Sequence, residues 1–473
     1  MLNISEYENI KGVIRHFESI SKIPHGSGNT QAIADYLVSF AKERGLDFYR
    51  DGADNVVIRK PATRGYEDRP AVIFQGHLDM VEARTDDCTV DMKTEGLELY
   101  RDGDFLRARG TTLGGDDGVA LAYAMEVLDD DSIEHPDFEA VFTSDEEIGL
   151  IGAVALAPEA VKGRLLINID SDAEGVFTVG CAGGVRSDIS LPVERRECDE
   201  SVYALSVSGF RGGHSGVEID KGRENAIKAL ATMLGAVPDL KILDISGGNA
   251  DNAIPRSAQC RFASSLDLAT LERLFGERLK AYKDKEPEAA IAVAESTKDK
   301  APLTLNCSLG LVELLMALPS GVVAMSADIQ GLVETSLNMG ILELGDSRAE
   351  ISFSVRSAKG AEKEKLCRTL AAISAKYGAD YSERGVYPAW EYRADSHLRD
   401  VMQGVYEEMY GRRPEVIIIH AGLECGIFSE KLEGLDCVSI GPDNFDIHTT
   451  EERLSLSSMS RVWEFLKAVL KNI

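Results

Sequence analysis

Two histidines and three carboxylates carry most of the chemistry this chain can offer. They are His77 in Gly76-His77-Leu78-Asp79, Asp116 in Leu113-Gly114-Gly115-Asp116-Asp117-Gly118, Glu147 in Ser144-Asp145-Glu146-Glu147, and then Asp170 and His448. That mixture of imidazole and carboxylate suits Zn²⁺ or a similar divalent ion and is poor for soft Cu(I). A bridging carboxylate can complete two sites of three protein ligands each and leave positions for water and substrate. Asp116 is placed as the bridge, with His77, Asp116 and Asp170 on one ion and Asp116, Glu147 and His448 on the other. Asp79 lies two residues beyond His77, on the same side of an extended strand. It is expected to accept the second ring N–H of His77 and so fix the tautomer. Glu146 must diverge from Glu147, and it is assigned as the general base that takes a proton from the attacking water and returns it to a leaving amine.

Each residue also has an ordinary reading. Asp116 or Asp117 could cap the helix that follows by accepting a main-chain N–H. An Asp-Glu-Glu run is usually a solvated turn, and a single loop histidine is usually polar surface. The shared placement of these residues, beyond the ends of apolar runs, favours the metal reading over the separate ones.

That placement comes from a repeating pattern. Apolar residues recur at helical spacing over Ile10–Ile20 and Ala32–Ala41. The extended runs Asn55–Ile58 and Ala71–Phe74 follow, the second leading straight into Gly76-His77. A helix over Val119–Leu128, a strand over Glu139–Thr143, a short helix near Ile151–Leu156 and a strand over Arg164–Asp170 complete the first stretch. Strands alternating with helices predict an α/β mixed sheet flanked by helices, whose ligands bind beyond the carboxyl ends of its strands. From about Arg186 the pattern changes to half-exposed strands, as in Tyr203–Val207 and Ala258–Ser264, around an amphipathic helix over Glu224–Leu234. The α/β pattern returns with a helix over His397–Tyr410, strands Val416–Ile419 and Cys437–Ile440, and a helix over Ser457–Leu470. The predicted architecture is therefore a discontinuous α/β domain, 1–185 and 385–473, interrupted by an α+β domain, 186–384. The inserted part looks internally duplicated, because Asn252-Ala253-Ile254 before Ala258–Phe262 resembles Asn338–Ile341 before Ala349–Phe353.

Length and charge limit the alternatives. At 473 residues, two or three domains are expected. The formal net charge of −28, without a basic cluster, argues against nucleic acid and anionic membrane as partners. No apolar run approaches the roughly 18 to 20 residues that span a bilayer. The first twenty residues lack the order of a secretory signal, so a cytoplasmic location is expected. Eight scattered cysteines form no Cys-x-x-Cys pair, and most are expected to be reduced and buried.

The stretches Gly76–Val81, Leu113–Gly118, Ser144–Gly149 and His448–Glu451 resemble the metal motifs of the two-zinc aminopeptidase and dipeptidase superfamily that includes carboxypeptidase G and carnosinase. Asn168–Ser171, Gly180–Gly184, Arg211–Gly216 and His420–Gly426 resemble its aminoacyl-histidine dipeptidase family. One departure is Thr449, where the pattern usually has Ser. The resemblance implies a cis peptide between Asp116 and Asp117. It also makes the inserted domain a lid, with His214 stabilising an oxyanion, Arg356 binding a substrate carboxylate and Asn252 assisting. Glu424 could receive the substrate's amine or act as a helix-start carboxylate.

The resulting expectation is a dipeptidase with two divalent ions per chain, Zn²⁺ ahead of Co²⁺ or Mn²⁺, acting on small peptides of the Xaa-His and broader Xaa-Xaa type. An aminoacylase or other amidohydrolase on the same scaffold stays open, as does a non-catalytic metal- or peptide-binding protein. A homodimer fits the resemblance and is not required by the chemistry.

Overall fold

The computed structural model describes residues 5–473 apart from positions 328 and 330. The chain forms two compact units. The first takes in the chain up to Gly180, Tyr392–Ile418 and Leu423–Ile473; the second takes in Cys181–Glu391 and Ile419–Gly422.

The first unit is built on an eight-stranded sheet. Its order is Asp47–Arg50, Val56–Lys60, Phe138–Thr143, Val72–His77, Leu165–Asn168, Asp436–Ser439, Val176–Cys181 and Glu415–Ile419. Val72–His77 pairs in parallel with both Phe138–Thr143 and Leu165–Asn168, and Asp436–Ser439 continues in parallel. Antiparallel pairs at the Val56–Lys60 side make the sheet mixed. The central strands are buried along their whole length, which explains why they read as continuous apolar runs. Register sets His77 opposite Thr143 and Gln75 opposite Asn168, so the residues just past these strand ends gather at one edge of the sheet. Helix Gly115–Asp129 is buried almost all round. Its Tyr123 stacks on Trp463 of helix Leu456–Asn472, ring centroids 5.6 Å apart, and donates its hydroxyl to the Met459 carbonyl at 2.9 Å.

The second unit holds a nine-stranded sheet whose recorded pairs are all antiparallel. A core of aliphatic and phenylalanine side chains joins the sheet to helices Ala226–Leu234, Leu268–Leu279, Leu305–Ala317 and Gly360–Lys376. His214 lies in a separate two-stranded ribbon, Gly213–His214 against Ala253–Ile254. None of the eight cysteines is in a disulfide, and five of them are buried. Among the described residues, no helix is long and apolar enough to cross a membrane.

Candidate metal centre

Chain direction and register bring all five proposed ligands together. His77 ends one central strand, Glu147 lies just past Thr143, and Asp170 follows Asn168 by two residues. Asp116 enters from the non-helical first residues of the element Gly115–Asp129, and the Asp116–Asp117 peptide is cis. His448 comes from the turn between strands Asn444–Phe445 and Arg453–Ser455.

The two oxygens of Asp116 face different histidines. Oδ1 is 3.0 Å from His77 Nε2, and Oδ2 is 3.1 Å from His448 Nε2. On the first side, Asp170 Oδ1 stands 3.7 Å from His77 Nε2. On the second, Glu147 Oε1 stands 2.9 Å from His448 Nε2. Donor atoms of the triad His77, Asp116 and Asp170 all lie within 4.8 Å of one another, as do those of Asp116, Glu147 and His448. Asp116 is thus placed as the member common to both.

The electrostatics of this cluster call for cations. Burial penalises the Asp116 charge, yet His448 and His77 hold its carboxyl well below the ordinary carboxylate range. Burial pushes Asp170 up to about 6. The adjacent Asp116 and Glu147 carboxylates push His448 up to about 10. Burial opposes charge on His77, but Asp116, Asp170 and Asp79 raise it well above the usual imidazole value. Glu147 Oε1 is buried and makes no hydrogen bond, although His448 Nε2 stands 2.9 Å away. A buried, unpartnered carboxylate oxygen beside inward-facing ring nitrogens fits divalent cations held by these five side chains.

Asp79 takes a different place from the one expected. His77 Nδ1 lies 2.8 Å from the main-chain oxygen of Asp79, with the carboxylate Oδ1 at 3.6 Å. The Asp79 carboxylate instead accepts the N–H groups of Glu146 at 2.9 Å and Glu147 at 3.3 Å, together with the Ser27 hydroxyl at 2.8 Å. A carbonyl close behind the ring fixes the tautomer as well as a carboxylate does. Asp79 is thereby free to hold the turn that bears Glu146 and Glu147. Asp145 and Leu150 in that turn have φ of 51° and 60°, and His448 has 62°. Such left-handed backbone at non-glycine residues is costly and gathers at functional sites.

Burial raises the Glu146 carboxyl well above its ordinary value; Asp170, Glu424 and Glu147 add to this and His77 opposes it. A carboxylate with raised proton affinity can accept a proton from water and give it back to an amine. Glu424 is fully buried at the start of helix Glu424–Lys431. Its Oε2 accepts from Gln75 Nε2 at 2.5 Å and from the Thr143 hydroxyl at 2.7 Å, and Gln75 Oε1 accepts from Asn168 Nδ2 at 2.6 Å. Burial pushes Glu424 up to about 7.

Within the second unit, His214 Nδ1 accepts from the N–H groups of Gly216 at 3.1 Å and Val217 at 3.2 Å, which leaves Nε2 to carry the proton of the neutral ring. Burial, then the Arg356 charge, lowers its pKa and favours that neutral form. Asn252 adjoins His214 across the ribbon: its carbonyl accepts from the Ser215 N–H at 2.8 Å. Arg356 donates to the Tyr387 hydroxyl at 3.0 Å, while its Nε is buried without a partner.

Sequence reasoning missed Glu452. This buried carboxylate accepts the N–H groups of Leu113, Gly114, Gly115 and Asp116 at 2.7, 3.0, 2.9 and 3.3 Å. It therefore caps helix Gly115–Asp129 from a distant segment, and Gly114 at the cap position supplies no side chain. A second acid after Glu451 carries no local signal for such a contact.

This fold and site define a metallopeptidase class. The sequence profile of Peptidase family M20/M25/M40 matches residues 73–472, and the chain belongs to that family. It is 37% identical over 467 residues to the cytosol non-specific dipeptidase of Escherichia coli (strain K12), covering 97% of this chain and 96% of that one. Among solved structures, aminoacylhistidine dipeptidase from Vibrio alginolyticus superposes with a TM-score of 0.92 at 33% identity, covering 98% of this chain and 96% of that one. The aminopeptidase PepT of Bacillus cereus shares the fold, with a TM-score of 0.58 at 16% identity over 98% of each chain.

Proposed function

We propose that this chain is a metal-dependent dipeptidase of the cytosol, and that it takes Zn²⁺ in preference to Co²⁺ or Mn²⁺ at a pair of sites sharing Asp116. The observation that carries the reading is the split of Asp116, one oxygen toward each histidine-bearing triad. Two divalent cations bound there would polarise a peptide carbonyl and acidify water. His77, Asp116 and Asp170 would hold one, and Asp116, Glu147 and His448 the other. Glu146 takes the proton of the attacking water and delivers it to the leaving amine, so its carboxyl returns to its starting state in each turnover. Asp79 sets the turn from which Glu146 reaches the substrate.

The segment 186–384 acts as a lid in this reading. His214 donates its Nε2–H to the developing oxyanion, and Arg356 pairs with the dipeptide's terminal carboxylate beside Asn252. The relatives named for dipeptidase activity support dipeptides, Xaa-His and broader Xaa-Xaa, over acyl-amino acids as substrates. We also infer that the lid arose by duplication. Strand Ala258–Ser264 followed by helix Leu268–Leu279 parallels strand Arg348–Ser357 followed by helix Gly360–Lys376.

Metal analysis with a panel of dipeptides and acyl-amino acids tests the reading. Two ions per chain with dipeptide cleavage are expected, and cleavage of acyl-amino acids alone would make the chain an aminoacylase. Glu146→Ala should keep its metal and lose about 10² to 10⁴ in kcat. Wild-type rates in that variant would remove Glu146 from the mechanism. His214→Ala should cost about 10² to 10³ in kcat with metal content unchanged.

A further inference from the structure

We propose that Glu452 is a positioning residue that locks the Asp116 loop to the hairpin bearing His448, so that the two ligands keep their spacing. The inference rests on the dimetal reading above. Asp116 and His448 stand far apart in sequence, and beyond their own side-chain contact at 3.1 Å their spacing depends on how the main chains that carry them are held. Glu452 sits at the foot of the hairpin whose turn carries His448. Strands Asn444–Phe445 and Arg453–Ser455 pair there, and the Glu452 N–H donates to the Thr449 carbonyl at 3.2 Å. From that foot its carboxylate receives four successive N–H groups, ending with that of Asp116 itself. Asn444 Nδ2 donates at 3.2 Å to Oε1, the oxygen that also takes the Gly115 and Asp116 N–H groups, which orients the carboxylate from its own hairpin.

The glycines of the loop fit this purpose. A Cβ on Gly115 would stand 2.9 Å from Asn444 Nδ2 and 3.1 Å from Glu452 Oε1. Gly114 has φ of 68°, and a Cβ there would stand 2.8 Å from Met80 Sδ. A side chain at Gly115 would crowd the acid and its Asn444 partner, and one at Gly114 would meet Met80 on left-handed backbone. The orphan N–H groups at a helix start draw a carboxylate, and the helix dipole adds to the attraction. Here the acid that answers them comes from the segment that also supplies a ligand. Asp116 has non-helical backbone, φ −88° and ψ 102°, so its side chain leaves the helix axis at an angle the clamp helps to set.

The test compares wild type with Glu452→Gln and Asn444→Ala, both metal-free and titrated with Zn²⁺ or Co²⁺. In the metal-free protein, the amides of 113–116 should lose hydrogen-exchange protection in Glu452→Gln while the rest of the unit keeps its own. Metal affinity should fall roughly 10- to 100-fold in Glu452→Gln and less in Asn444→Ala. The Co²⁺ visible spectrum should change, and kcat should fall more than KM rises. Unchanged protection, affinity and spectrum in both variants would overturn the clamp. So would a Glu452→Gln chain that fails to fold, since that assigns the acid to stability. If wild type itself binds no metal, the dimetal reading fails, and the exchange result still decides whether the loop is clamped.

Discussion

Among its described residues, the first unit contains two clusters of histidine and carboxylate whose donor atoms fall within the same distance limit. His16, Glu126 and Asp129 bring ligand atoms within 4.8 Å of one another, as the triads around Asp116 do. In the first cluster His16 Nε2 lies 3.1 Å from Glu126 and 3.4 Å from Asp129. Arg15 reaches Asp129 at 2.7 Å, and Arg44 reaches its other oxygen at 2.6 Å. Protein guanidinium groups already neutralise those acids. Around Asp116 the partners are imidazoles aimed inward, and Glu147 Oε1 is buried without a bond. Spacing alone does not make a metal centre; the origin of the compensating charge separates the two clusters.

Asp116→Ala should break the contrast most severely. Metal content should drop from two ions to none, and activity by at least about 10³-fold, several kcal/mol of lost stabilisation. Elemental analysis and dipeptide turnover measure both. Asp117→Asn should be milder, since Asp117 Oδ2 accepts the His77 N–H at 3.2 Å and takes no place in either triad. Equal metal retention in the two variants would return the acidic pair to a structural role.

A smaller effect is expected at Glu424, whose folded pKa of about 7 lies above its ordinary value. Below that ordinary value the protonated carboxyl costs the fold nothing. As pH rises toward 7 the unfolded chain ionises first, so the metal-free protein should lose stability across that interval. Glu424→Gln should flatten the dependence, with thermal melts at pH 5 and pH 8 as the measurement. An unchanged difference between those melts would assign the pH dependence elsewhere. The smallest effect belongs to the control cluster: Asp129→Asn should leave two ions in place and cost about 0 to 1 kcal/mol, as partly exposed ion pairs do. Loss of an ion from that variant would overturn the contrast itself.

Much of this was legible in the sequence because one physical cause served fold and site together. Apolar runs such as Ala71–Phe74 marked buried parallel strands, and ligands sit just past the ends of such strands. His77, Glu147 and Asp170 were picked out on that basis, and the structure brings them together with Asp116 and His448. The helix read over His397–Tyr410 has those ends in the structure, where the Ser396 side chain caps its start and Gly411, in left-handed backbone, ends it. Asp79 was identified as a support, but its bond was misassigned, because the path of the chain around a strand end is not encoded in two-residue spacing. Strands Leu99–Asp102 and Phe105–Ala108 went unread, being short and only partly buried. Glu452 went unread because its partners are main-chain N–H groups, which have no sequence signature.

The order of the ligands along the chain has a consequence for biosynthesis. His77, Asp116, Glu147 and Asp170 all precede the second unit, and His448 follows it. A chain emerging from the ribosome carries His77, Asp116 and Asp170 while the segment 181–391 is still unmade, but strand Asp436–Ser439 beside Leu165–Asn168 and the Glu452 carboxylate under the Asp116 N–H come only after it. The triad that needs His448 must wait until that segment has emerged. Neither triad therefore has all the chain that surrounds it here until the second unit has been synthesised.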